Sequence, residues 1–506
     1  MKEVRVRFAP SPTGPLHIGG VRTALYNYLF AKQNDGKFLL RIEDTDQLRY
    51  VEGAEEYIKK SLNWLGLIPD EGPDTGGNMD PHRQSDRKDI YIKYADKLVE
   101  SGHAYYAFDT PEELDKMREE GGESSAKYDH STRENMKNSL SLSTEKVEQM
   151  IAEGIPYVVR IKIPQNEVIT FNDLVRGEVS FSSNELDDKV ILKTDGMPTY
   201  HLANIVDDYL MKISHVIRGE EWLSSTAHHV LLYRFMGWED SMPQFTHLPL
   251  ILKPVGKGKL SKRDGANFGF PVFPLEWYDK SEDELFLGFK EFGFLPEATL
   301  NFLALLGWNP GTEQEIFSMD NLIEAFSIEK IVKSGARFNI EKAKWFNQQY
   351  ILIMTDDKLA QALKPFVETA GYNVESALLV KLAVIMKPRL ELLTDFIEKA
   401  KFFFDDNLTY DEKTIRKKWK EDNITNVNSL VELLKNTEDF SKENLNTIMH
   451  DFIQNNNLSF GNIFPLVRVA LTGTLSGPDL FETMEILGKN TVLSRFDVAF
   501  RYFDSI

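Results

Sequence analysis

Short apolar runs and helical periodicity alternate along the first forty residues. Val4–Phe8 predicts a strand, and Ala9–Leu16, with three prolines and a glycine, predicts an ordered loop. Val21–Lys32 has apolar positions at Val21, Ala24, Leu25, Tyr28, Leu29 and Ala31, the spacing of one helix face. Phe38–Ile42 follows Asp35-Gly36 as a second apolar run, hence a second strand. Strand, helix and strand within about forty residues make a βαβ unit with a right-handed crossover over a parallel sheet. Ligands of such sheets bind beyond the carboxyl ends of the strands, where both Ala9–Gly20 and Glu43-Asp44 fall.

The pattern then changes. Gly72–Pro81 is a turn-rich loop, and residues 85–195 read as an inserted α+β module. That module holds a polar segment, Gly121–Ser143, and strands at Tyr157–Ile163 and Val190–Leu192. Sheet patterning resumes at Val216–Arg218 and Leu248–Leu252, and beyond about residue 320 the chain is mostly helical. No internal repeat or low-complexity tract is present.

At 506 residues the chain exceeds what one core can organise, so about three to five domains are expected. No apolar run approaches the roughly 20 residues of a membrane span. The first strand begins too early to leave room for a targeting peptide. Cysteine is absent, which excludes disulfides and thiolate metal sites and fits a cytoplasmic location. The net charge of −19 weighs against a polynucleotide partner, although binding needs only a local basic face.

Two segments carry candidate chemistry. In the N-terminal loop, Gly14, Gly19 and Gly20 allow a ligand close to the backbone. The helix start beyond them offers free N–H groups and a positive dipole end to a phosphate, and His17 can donate to phosphate oxygens. Alone, the segment reads equally as a Pro-rich connection with an incidental histidine. The second segment, Lys259-Leu260-Ser261-Lys262-Arg263, brings three cations to a loop that Gly256 and Gly258 free to move. Alone, it reads as a solvated charged loop. Together they point to ATP chemistry at a site built from two distant pieces of chain.

With these segments in order, the chain resembles class I aminoacyl-tRNA synthetases, and among them the bacterial-type glutamyl-tRNA synthetase family. His17–Gly20 matches the HIGH signature and Lys259–Arg263 the KMSKS signature. Arg41–Asp46, Pro198–Asn204 and Ile217–Trp222 match blocks of the glutamyl group, and the likeness extends over the whole chain. Gly20 stands where HIGH has its second histidine. Leu260 and Arg263 stand where KMSKS has Met and its final Ser.

The resemblance implies a fold: a class I Rossmann-like doubly wound α/β domain with an inserted α+β module, followed by all-α anticodon-binding domains. The expected division is 1–84 and 195–255 for the catalytic halves, 85–194 for the acceptor-stem module, 256–325 for the lysine loop and stem contacts, and 326–390 and 391–506 for the helical domains. It also implies a monomeric enzyme, with no membrane association, that activates L-glutamate with ATP and Mg²⁺ and transfers it to the terminal adenosine of tRNA(Glu). His17, Lys259 and Lys262 are then the catalytic groups. Pro10, Ser11, Gly14, His17, Gly19, Gly20 and Lys262 hold ATP. Arg7 and Arg218 suit the side-chain carboxylate, because guanidinium binds carboxylate bidentately. Glu43 suits the α-ammonium, with Ser11, Tyr200 and Asn204 completing the hydrogen bonds. In isolation Arg7 reads as an edge-strand surface arginine and Glu43 as a surface carboxylate. Arg389, Arg468 and Leu480 match positions near the anticodon, and each reads equally as ordinary helix chemistry.

Some members carry zinc in the inserted module; here the matching stretch, Ala104–Asp109, has no cysteine, so no zinc is expected. His228-His229 reads as helix packing and Arg416–Lys420 as a solvated helix face. Rival readings are a glutaminyl enzyme, a short paralogue that modifies a tRNA base, a small nucleotidyltransferase sharing the first signature, and an inactive tRNA-binding protein. The helical C-terminal half counts against the first, chain length against the next two, and the retained His17, Glu43, Arg218, Lys259 and Lys262 against the last.

Overall fold

A computed structural model describes residues 3–120 and 127–506. The chain divides into two units, Met1–Lys290 with Leu295–Ala343 and Glu291–Phe294 with Lys344–Ile506. The first begins as the hydrophobic pattern predicts. Strand Arg5–Phe8, helix Ile18–Gln33 and strand Lys37–Leu40 form the βαβ unit, and the two strands pair in parallel from Arg5↔Lys37 to Phe8↔Leu40. The Ser214 N–H donates to the Arg5 carbonyl at 2.8 Å, which ties the first strand to the foot of strand His215–Gly219. That strand runs parallel to Gln244–Leu248, which pairs in parallel with Val168–Asp173 through Asp173↔Phe245. An antiparallel strand, Gly177–Ser182, closes the edge.

The expected strand over Leu248–Leu252 is two pieces, Gln244–Leu248 and Ile251–Leu252. Pro249 has no N–H for a ladder, and the Leu250 N–H is taken by the Glu220 side chain at 3.0 Å. The second piece pairs with Ala336–Arg337 instead.

The insertion carries a three-stranded antiparallel sheet, Ala104–Ala107, Val158–Ile161 and Val190–Leu192. Of the polar segment Gly121–Ser143, residues 121–126 lie outside the described residues. One buried cluster that includes Leu39, Tyr91, Val159, Leu202, Val216 and Phe245 spans both the insertion and the parallel strands, so the module is packed into the core of the first unit. The second unit is helical, around a separate core including Leu430, Met449, Leu466, Met484 and Phe496. Its last helix, Leu480–Phe503, is broken at Gly488, whose φ of 76° no helix interior adopts.

Helix Tyr200–Leu210 locks the parallel strands by charge. Asp208, 2% exposed, accepts from Arg7 Nε at 2.9 Å and Nη2 at 3.2 Å, and from Arg41 Nη1 at 2.7 Å. Burial pushes its pKa up, and the two guanidinium groups outweigh that and hold it below the usual carboxylate range. The adjacent Asp207 collects Arg87 at 2.8 Å, Gln84 at 2.9 Å and Tyr91 at 2.8 Å. Removing one partner of such a pair strands a buried charge, at a cost of about 3–5 kcal/mol. Asp208→Asn is therefore expected to destabilise the first unit by about that amount. Urea unfolding curves would check this, and a loss indistinguishable from that of a surface Asp→Asn control would contradict it.

Candidate active site

Beyond the carboxyl ends of these strands lies a cavity of about 1120 Å³. Its walls include Arg7, Pro10, Ser11, His17, Gly19, Gly20, Glu43, Tyr200, Asn204, Arg218 and Lys259. The fold thus brings eleven of the residues singled out in the sequence to one space. Gly14 and Lys262 do not line it. Arg389, Arg468 and Leu480 belong to the second unit.

His17 caps helix Ile18–Gln33 and accepts the Gly19 N–H at Nδ1, 3.1 Å. Its proton therefore sits on Nε2, which is buried and, among the described residues, has no partner. Burial, reinforced by the Lys259 charge, pushes its pKa down to about 4, so the ring is neutral near pH 7 and a donor through Nε2. The expected free N–H groups at this helix start are not free. Ile18 N–H donates to the Val272 carbonyl at 2.9 Å, Gly19 N–H to the His17 ring, and Gly20 N–H to the His17 carbonyl at 2.8 Å. The histidine ring and the dipole remain for an anion, rather than the backbone donors. A Cβ on Gly20 would stand 2.6 Å from Leu16 Cδ1, so a side chain where HIGH has its second histidine would require Leu16 to shift.

On the opposite side, Arg41 Nη2 donates to Glu43 Oε1 at 2.9 Å, and Asn204 Nδ2 to the same oxygen at 3.3 Å. Both bonds fall on one oxygen and leave Oε2 for a ligand. Burial raises the Glu43 pKa against the pull of Arg41 and Arg7. Arg7 is 3% exposed; Asp208 takes the Nε N–H and one N–H of Nη2, so Nη1 and the second N–H of Nη2 are left for a ligand. Arg218, 5% exposed, differs: among the described residues it touches no carboxylate. Its partners are neutral: His247 Nε2 at 3.0 Å, Tyr200 OH at 2.6 Å, Thr226 Oγ1 at 2.8 Å, and longer contacts to His229 Nδ1 at 3.4 Å and the Trp222 carbonyl at 3.3 Å. Because Tyr200 accepts from Arg218, its own hydroxyl proton is free to donate into the cavity. The Trp222 ring lies 4.3 Å from that of Tyr200, centroid to centroid.

Acidic side chains hold the lysine loop. Lys259 Nζ pairs with Glu221 at 2.7 Å, and Lys262 Nζ pairs with Asp279 at 2.6 Å and Glu282 at 2.9 Å over the Phe286 ring. Ser261 and Asp264 form a capping box that starts helix Lys262–Phe268, and Lys262, held by Asp279 and Glu282, does not line the cavity. In the second unit, Arg389 Nη2 and Arg468 Nη1 converge on one turn, donating to the Gly477 carbonyl at 2.6 Å and the Pro478 carbonyl at 2.7 Å. Leu480 is 5% exposed and packs in that unit's core. Among the described residues no group of three His, Cys, Asp or Glu side chains is placed to hold a metal ion.

Sequence reasoning missed Asp208, Trp222, Glu221, Asp279 and Glu282. One signal was available: Asn204 and Asp208 are i, i+4 on one helix, hence on one face. The carboxylates that hold the lysines are remote in sequence and carry no such signal.

A model of the family described as "tRNA synthetases class I (E and Q), catalytic domain" matches residues 3–345, and one described as "Anticodon binding domain" matches residues 358–500. A glutamate–tRNA ligase of Cytophaga hutchinsonii is 52% identical over 98% of this chain and 97% of its own length. One of Bacteroides fragilis is 53% identical over 98% of each chain. The crystal structure of a glutamate tRNA ligase from Elizabethkingia meningosepticum, in complex with its amino acid, superposes with a TM-score of 0.95 at 48% identity over 99% of both chains.

The buried histidines make stability depend on pH. Burial pushes His17 to about 4, His201 to about 3 and His229 well below its usual value. The unfolded chain, with ordinary values near 6.5, then binds more protons than the folded one as pH falls below that point. Stability should be fully present above about pH 6.5 and decline steadily toward pH 4. Melting temperatures measured from pH 7.5 to 4.5 test this; a flat profile would contradict it.

Proposed function

The chain belongs to the class I tRNA synthetases for glutamate and glutamine, and from that premise we infer that it is a glutamate–tRNA ligase whose chemistry takes place in the cavity between His17, Glu43 and Arg218. The observation that carries this reading is Arg218, a buried cation with no carboxylate against it, across from a carboxylate with one free oxygen. Glutamate supplies the complement of both. Its side-chain carboxylate replaces the two long contacts of Arg218 and accepts from the Tyr200 hydroxyl, while its ammonium reaches Glu43 Oε2. Arg7 adds Nη1 to the same carboxylate, and Ser11 and Asn204 complete the hydrogen bonds.

ATP lies along the Pro10–Gly20 loop, where Gly19 has no side chain to stand in its way. Mg²⁺ accompanies the nucleotide, held mainly through phosphates and water. A glutamate α-carboxylate oxygen attacks the α-phosphorus, the bond to the bridging oxygen breaks, and pyrophosphate leaves. A ribose hydroxyl of the terminal adenosine of tRNA(Glu) then attacks the acyl carbon and AMP departs. Little covalent work falls to the protein, so positioning and charge stabilisation carry the acceleration. His17 Nε2–H donates to phosphate oxygen. Lys259 and Lys262 neutralise the leaving group once nucleotide phosphates draw them from Glu221, Asp279 and Glu282. Arg389 and Arg468 supply a basic pair near the anticodon of the tRNA, with Leu480 beside them, which accommodates a polyanion on a chain of net charge −19. Zinc has no part in this reading, and stoichiometric zinc after dialysis would count against that.

Aminoacylation of purified glutamate and glutamine tRNAs with labelled glutamate, with ATP–pyrophosphate exchange run with and without tRNA, tests the reading. Arg218→Ala should abolish glutamate-dependent exchange while ATP still binds; a normal glutamate KM in that variant would overturn the assignment. Lys262→Ala should lower kcat for exchange by about 10²-fold, the usual loss for one removed charge stabiliser, with little change in glutamate KM. A loss confined to glutamate KM would place Lys262 elsewhere.

A further inference from the structure

Arg7 and Arg41 share the Asp208 carboxylate, whereas the nearest carboxylate along the bonds of Arg218 is one residue removed. Arg218 Nε donates to His247 Nε2 at 3.0 Å, and His247 Nδ1 lies 2.7 Å from Asp173 Oδ2. Asp173 and His247 are fully buried and neither lines the cavity. Four N–H groups converge on the Asp173 carboxylate: the backbone N–H of Val175, Arg176 and His247, and the His247 ring. It is therefore an acceptor throughout, the ring proton lies on Nδ1, and Nε2 presents a lone pair to the guanidinium. Burial pushes the His247 pKa down, against the pull of Asp173, which keeps the ring neutral. A ring protonated at both nitrogens would set N–H against N–H.

We propose that Asp173 and His247 are positioning residues that aim Arg218 into the cavity without neutralising it, and that this arrangement sets the preference for a side-chain carboxylate over its amide. A carboxylate placed directly on Nε would fix the guanidinium equally well but would occupy its charge, as Asp208 does for Arg7. The interposed imidazole supplies the orienting hydrogen bond and moves the negative charge one ring further away. The substrate's own carboxylate then becomes the counter-ion of Arg218, and an amide leaves that buried cation uncompensated. Asp173 ends strand Val168–Asp173 of the inserted module, paired to Gln244–Leu248 at the point where His247 follows. Both residues are thus set by sheet register rather than by a loop.

This proposal rests on the glutamate-binding reading above, and the two can be separated. Glutamate- and glutamine-dependent pyrophosphate exchange is measured, with tRNA present, for the full-length wild type and for His247→Leu, His247→Gln and Asp173→Asn. In His247→Leu the glutamate KM should rise by about tenfold or more, the ATP KM should stay within about twofold, and the glutamate-over-glutamine ratio of kcat/KM should fall by about tenfold. In His247→Gln the amide oxygen can accept from Arg218 and the amide nitrogen can donate to Asp173, so both parameters should return to within about threefold of wild type. Asp173→Asn keeps the ring but presents an amide donor to Nδ1, which moves the ring proton to Nε2 against Arg218. It should reproduce the selective glutamate defect even if His247→Leu folds poorly. A glutamate KM and ratio unchanged in both His247→Leu and Asp173→Asn, ATP and glutamate KM rising together, or His247→Gln no better than His247→Leu would each overturn the proposal. Wild type lacking glutamate-dependent exchange would overturn the ligase reading and the relay with it.

Discussion

Asp208 is the buried charge on which the catalytic architecture depends. It sits on a helix that follows the insertion, and it joins Arg7 of the first strand to Arg41 beyond the second. Two strands of one βαβ unit are thereby fixed to a helix about 200 residues later. Burying three charges is worthwhile only when each meets its opposite, and here every one does. The same ions orient Glu43 through Arg41, so the lock that closes the sheet also sets one wall of the cavity.

Against that compensated network, Arg218 stands out. Both it and Arg7 are nearly inaccessible arginines on the walls of one cavity, yet Asp208 neutralises one and the other is held by neutral acceptors. Burial of an uncompensated cation is costly, and the cost is recovered when a carboxylate arrives. In the proposed reading, discrimination against an uncharged isostere follows from this asymmetry.

The lysine loop follows the opposite logic. Lys259 is half-exposed and Lys262 partly exposed, paired with Glu221, Asp279 and Glu282, and preceded by glycines at φ of +84° and +107°. Ion pairs of that exposure are weak and exchange partners readily. A polyphosphate offers more negative charge than the carboxylates it displaces. The signature lysines are thus stored beside the site, while His17 is fixed within it.

The sequence by itself determined the local elements and the inventory of chemistry. Periodicity placed the opening strand, helix and strand to within a few residues, and the ordered motifs named His17, Glu43, Arg218 and Lys259. These are readable because helix and strand periods and short motifs are local properties. Tertiary structure alone decided which groups remain available. The helix-start N–H groups, free by sequence reasoning, are taken by Val272 and by His17 itself. Two arginines indistinguishable in sequence became a neutralised brace and an open receptor, because Asp208 folded onto one and His247 onto the other. Charge compensation is a matter of which distant side chains share a few ångströms of low-dielectric interior, and the spacing of residues along a chain does not encode it.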